Sequence, residues 1–84
     1  MEEFLVTIRC RDKDIMQQIK KSGGSIFEKG IEHVDGEFCF QGVVNEKTLK
    51  KLKDHIQIDK KENMKDYNSR KIALVGKGNR YLDN

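Results

Sequence analysis

Four side chains in this 84-residue chain could hold a transition metal or act as a thiol or imidazole catalyst: Cys10, His33, Cys39 and His55. They are scattered over four segments without the short Cys or His pairs that zinc sites use, so the spacing predicts no metal centre and no cofactor. Nucleophilic catalysis needs a base beside the nucleophile and oxyanion donors in a cleft. No such constellation is present, and the chain is read as a non-enzyme. Gly76-Lys77-Gly78 follows the apolar run Ile72-Ala73-Leu74-Val75, as a phosphate-cradling loop follows a strand. That chemistry needs a helix behind the glycines, and only six residues remain after Gly78. A turn exposing Arg80 and Tyr81 is the better account.

Gly36-Glu37-Phe38-Cys39-Phe40 resembles the aromatic strand on which RRM domains stack RNA bases. Parity argues otherwise. Turning Phe38 and Phe40 to solvent would bury Glu37 and Gln41 without partners, at a cost of several kcal/mol. The two phenylalanines are therefore expected in the core, with Cys39 on the opposite face. The basic residue that opens the RRM motif is also missing.

These residues need elements to position them. Phe4, Val6, Ile8 and Cys10 alternate with Leu5, Thr7 and Arg9, the period of a strand that buries one face. Asp12 can cap a helix that brings Ile15, Met16 and Ile19 onto one side and ends at Gly23-Gly24. An extended region from Ser25 to Val34, broken by Gly30, leads to Asp35-Gly36, a dipeptide suited to a type I′ hairpin turn. Glu37 to Val44 folds back as the next strand. Asn45 caps a helix with Leu49 and Leu52 inward and Lys47, Lys50, Lys51 and Lys53 mostly outward. His55 to Asp59 alternates again as a short last strand.

The order β-α-β-β-α-β with right-handed crossovers predicts an α+β domain, a ferredoxin-like βαββαβ sandwich. It has a four-stranded antiparallel sheet and both helices on one face. Its expected core is Phe4, Val6, Ile8, Ile15, Ile19, Phe38, Phe40, Leu49, Leu52, Ile56 and Ile58. The domain spans residues 1–59, and residues 60–84 form a basic C-terminal extension. Residues 60–71 read as a linker or frayed segment; the apolar run after them fits a fifth strand, a docking segment or a helical turn.

Composition bounds the function. Residues 1–59 hold ten Lys/Arg against eleven Asp/Glu, whereas 60–84 hold seven against three, so the net charge of +3 belongs to the extension. No apolar stretch approaches the ~18 residues of a membrane span, the start Met1-Glu2-Glu3 lacks a basic leader, and two cysteines are too few for a stapled secreted scaffold. The expectation is a cytoplasmic protein with reduced thiols, Cys10 and Cys39 lying on opposite sheet faces.

By parity the open face of the sheet shows Leu5, Thr7 and Arg9 beside Cys39, Gln41 and Val43, a mildly apolar middle suited to a protein partner. The extension offers Lys60, Lys61, Arg70, Lys71, Lys77, Arg80 and Tyr81 as further contacts.

The segment from Lys20 to Asp59, with the strand Phe4-Leu5-Val6-Thr7-Ile8 before it, resembles the propeptide-type inhibitors of subtilisin-like proteases. The helix end Lys21-Ser22-Gly23-Gly24, the hairpin and strand that follow, and the Leu49-x-x-Leu52 helix carry the likeness. The resemblance implies a domain that packs its open sheet face on a protease and lays the segment from Asp59-Lys60-Lys61 along the substrate cleft. This chain departs from it by continuing well past the last strand. The sequence is thus read as a small intracellular protein-binding module, by resemblance a protease inhibitor or propeptide-like regulator. The alternative is a nucleic-acid binder using the basic extension.

Overall fold

The computed structural model describes residues 2–69. Five strands, β1 (Glu3–Cys10), β2 (Ser25–Ile26), β3 (Glu32–Val34), β4 (Glu37–Asn45) and β5 (Gln57–Asn63), form one antiparallel sheet, with helices α1 (Asp14–Lys21) and α2 (Glu46–Leu52). Residues 64–69 are helical. No helix among the described residues is long and apolar enough to cross a membrane.

The local signals act where they stand. Asp12 Oδ1 accepts from the Asp14 amide at 2.9 Å, which satisfies one of the orphan donors at the start of α1. At the other end Gly23 adopts φ +91°, and the Gly24 and Gly23 amides donate to the Ile19 and Lys20 carbonyls at 3.0 and 3.1 Å, a Schellman closure. Asp35 and Gly36 take φ +54° and +80°, joining Val34 to Glu37 through the two-residue turn expected there. Asn45 caps α2, its Oδ1 accepting from the Thr48 amide at 2.8 Å.

The sheet has five strands, not four. The extended region Ser25 to Val34 is interrupted by a 3-10 turn at Glu28–Gly30, so β2 and β3 pair separately with β4. Ile26 lies opposite Gly42 and Glu32 opposite Cys39, which leaves the segment between them bulging away from the ladder. Along the main path the order is β2-β4-β1-β5.

Val6, Ile8, Cys10, Phe40, Val44 and Ile26 from the sheet, Ile15 and Ile19 from α1, and Leu49 and Leu52 from α2 form one buried cluster. Both helices therefore cover the same face. Further expectations need correction: within residues 60–71, read as a linker or frayed segment, 60–63 are strand and 64–69 helical. Ile58 shares its register with the fully buried Ile8 yet is 38% exposed, because β5 is an edge strand and the seven-residue α2 stops short of closing over it. The last strand runs past Asp59 to Asn63, so Lys60 and Lys61 belong to the sheet, opposite Thr7 and Val6. Phe4, Phe38 and Ile56 are half-buried at the margin of the core.

Candidate protein interface

Period-two alternation, with one side of β1 and β4 occupied by the core, sends Leu5, Thr7, Arg9, Cys39, Gln41 and Val43 to the other. Their antiparallel register then sets them against one another in three rungs: Leu5 with Val43, Thr7 with Gln41, and Arg9 with Cys39. The structure thus brings all six expected face residues together. Gln41 is exposed and the other five are half-buried. Lys60 joins the face opposite Thr7, whereas Lys61 lies on the helix side, its ammonium 4.3 Å from the centre of the Phe4 ring. Arg70, Lys71, Lys77, Arg80 and Tyr81 lie outside the described residues, as do Ile72 to Val75 and the Gly76-Lys77-Gly78 stretch.

Apart from Lys60 beside the middle rung, the charge of the face gathers at the Arg9 end, where cation and acids meet. The Arg9 guanidinium donates to Asp59 through Nε at 2.8 Å and Nη2 at 3.2 Å, and Glu37 stands 3.9 Å away. Gln57 Nε2 donates to the same Asp59 carboxylate at 3.2 Å. The hydrogen bond to Asp59, followed by the charge of that carboxylate, raises the guanidinium pKa above its ordinary value, so Arg9 is a fixed cation within an acidic setting. Asp59 reaches it because the β1–β5 register shifts between Thr7 and Ile8, leaving Asp59 as the extra residue of a bulge.

Residues beyond the sequence expectation complete the surface. Phe27 and Val34 are 46% and 59% exposed, and each borders a shallow depression on this face. One depression, about 310 Å³, lies among Phe27, Thr7, Gln41, Cys39 and Glu32. The other, about 210 Å³, lies among Val34, Arg9, Glu37, Cys39 and Glu32. They share Glu32 and Cys39, so the surface is continuous from Phe27 to Val34. Parity inside Ser25 to Val34 could not place these two residues, because the 3-10 turn breaks the alternation between them.

Neither lateral edge invites another strand. β2 and β3 are two and three residues long, and β5 carries Asp59, Lys60, Lys61 and Glu62 along a bulged edge. Short, charged and bulged edges oppose strand addition, which leaves the face as the larger uncommitted surface of the sheet. Cys10 is buried and Cys39 half-buried on the opposite side, both as free thiols. His33 stacks on Phe38 with ring centres 4.1 Å apart, at the helix-side margin of the sheet. Among the described residues no group of three or more His, Cys, Asp or Glu side chains is arranged to hold a metal ion. Comparison with protein-family models, curated proteins and solved structures finds no match to this chain.

Proposed function

We propose that this chain is a protein-binding module that docks through its open sheet face. Its scaffold is read as a ferredoxin-like βαββαβ sandwich in which β2 and β3 are two halves of one interrupted edge strand. The observation that carries the reading is the three-rung surface Leu5/Val43, Thr7/Gln41 and Arg9/Cys39, bordered by exposed Phe27 and Val34, with the Arg9 cation at one end already paired to Asp59. Such a surface offers a partner apolar contacts at Leu5, Val43, Phe27 and Val34 together with the uncharged polar pair Thr7/Gln41, a mixture found at protein interfaces. The resemblance to propeptide-type inhibitors makes a protease the partner class to test first.

The test uses the full chain. Val43→Glu places a carboxylate in the apolar Leu5/Val43 rung of the face, where a docked partner would bury it unpaired, at a cost of several kcal/mol. Binding to a subtilisin-like protease, or to partners captured from lysate, should fall by more than about tenfold while circular dichroism stays native. Neutralising Arg70, Lys71, Lys77 and Arg80 to Gln should change it little. The reverse pattern, together with a steep loss of binding on adding salt, would assign binding to the basic extension and a nucleic-acid partner instead.

A further inference from the structure

The opposite layer carries a second surface with different chemistry. Ile58 belongs by register to the core-facing row of β5 but is left 38% exposed, and with Leu49 and Ile56 it floors a groove of about 310 Å³ between α2 and β5. Lys50 and Lys53 line the groove from the α2 side and Lys61 from β5, with Glu46 as its single acid. Glu46 is itself paired with Lys50 at 3.5 Å. Lys61 is held with its ammonium over the Phe4 ring, so its charge has a defined place beside the apolar floor. The groove therefore joins uncovered aliphatic surface to a surplus of positive charge.

We propose that this groove binds an acidic amphipathic helix of a partner protein. Charge complementarity selects acidic flanks, and the exposed Ile58 with the half-buried Ile56, backed by the buried Leu49, select an apolar stripe between them. A nucleic acid would engage the lysines but leave Ile56 and Ile58 unused, and the groove lining offers no aromatic platform for a base. An acyl chain needs enclosure over most of its surface, whereas this groove is open along its outer side. An added strand would meet the bulged, charged edge of β5. A helix laid beside α2 satisfies the remaining geometry, with apolar residues at i, i+3, i+4 and i+7 in the groove and Glu on both flanks.

The test titrates the ¹⁵N-labelled full chain with a synthetic amphipathic peptide of roughly 18 residues, with Leu at those positions and flanking Glu. Saturable shifts are expected at the Lys53, Ile56, Ile58 and Lys61 amides. Affinity should fall by at least about tenfold in Ile58→Ser and in the double variant Lys53→Glu, Lys61→Glu. The double variant should instead bind the same peptide with Lys in place of Glu. Ile58 and both lysines are exposed, so these variants should retain the native spectrum. Val43→Glu should leave this binding unchanged, which separates its failure from that of the sheet-face reading. The proposal is overturned if the groove amides do not move, if the Lys peptide binds the native chain equally well, or if decanoate or a single-stranded oligonucleotide displaces the Glu peptide.

Discussion

Gly42→Ala tests the seat of β2, the shortest strand of the sheet. Gly42 lies in β4 between Val6 of β1 and Ile26 of β2, in the row that faces the helices. A Cβ built there would stand 2.5 Å from the Ser25 carbonyl oxygen and 3.4 Å from Ile26 Cδ1. The first distance is closer than carbon and oxygen can approach, so β2 must shift. Its attachments at risk are the two-residue pairing with β4, the Phe27 amide donating to the Gln41 carbonyl at 2.9 Å, and the burial of Ile26. Each lost backbone hydrogen bond costs about 1 kcal/mol net, and full exposure of an isoleucine about 1.5–3. Partial release of β2 should therefore cost about 2–4 kcal/mol, or roughly 10–30 °C in melting temperature for a domain of this size. Without that contact the same change would stabilise by about 0.4–1 kcal/mol through the unfolded state, so the sign of the effect is diagnostic. Urea unfolding at unchanged m-value, with hydrogen exchange at Ile26 and Phe27, measures it. Gly30→Ala is the control: nothing lies within 4 Å of its Cβ position and its φ is not positive, so it should be neutral or mildly stabilising. A neutral or stabilising Gly42→Ala would mean that β2 does not sit on β4 at this register.

Phe40 is 1% exposed in the centre of the core, and Phe40→Ala should cost about 3–5 kcal/mol by calorimetry or urea unfolding. An unchanged melting temperature together with lost RNA binding would restore the base-stacking reading of that strand. Burial first, then the charges of Asp12 and Glu37, raise the Cys10 thiol pKa, so native-state alkylation followed by mass mapping should find Cys39 modified well before Cys10. Equal rates, or a disulfide between the two in the folded monomer, would contradict their placement on opposite faces. Glu28 takes a hydrogen bond from the Lys20 ammonium, which with the charge of that ammonium lowers its pKa below the ordinary carboxylate value. A depressed carboxylate adds stability above its unfolded pKa of about 4.3, and that contribution is lost as pH falls through the lower folded value. The Glu28 titration followed by NMR should move upward in Lys20→Gln; no movement would show that the pair does not form in solution.

Elements specified by neighbouring residues were legible in the sequence. The alternation of β1 and β4, the Asn45 cap, the Gly23-Gly24 stop and the Asp35-Gly36 turn each rest on backbone and side-chain geometry within a few residues, so type and spacing suffice to place them; at the start of α1 the cap position falls one residue later than expected, on Lys13, with Asp12 bonding the Asp14 amide. The six-residue open face followed from the same period-two rule, because parity assigns a side chain to a face without knowledge of its partner. Tertiary packing decided what parity could not. The five-residue stretch Phe27 to Ile31 bulges opposite Phe40 and Gln41, which splits one expected strand into two and sends Phe27 and Val34 to the margins of the open face. The end of β5 was likewise not readable: Lys60 to Asn63 are polar and carry no hydrophobic signal of their own, and they become a strand because β1 offers an unpaired edge. Ile58 shows the converse, a residue patterned for burial that stays exposed because the covering helix is too short. In each case pairing or cover comes from residues far away in the chain, and local pattern carries no information about the length or position of a distant partner.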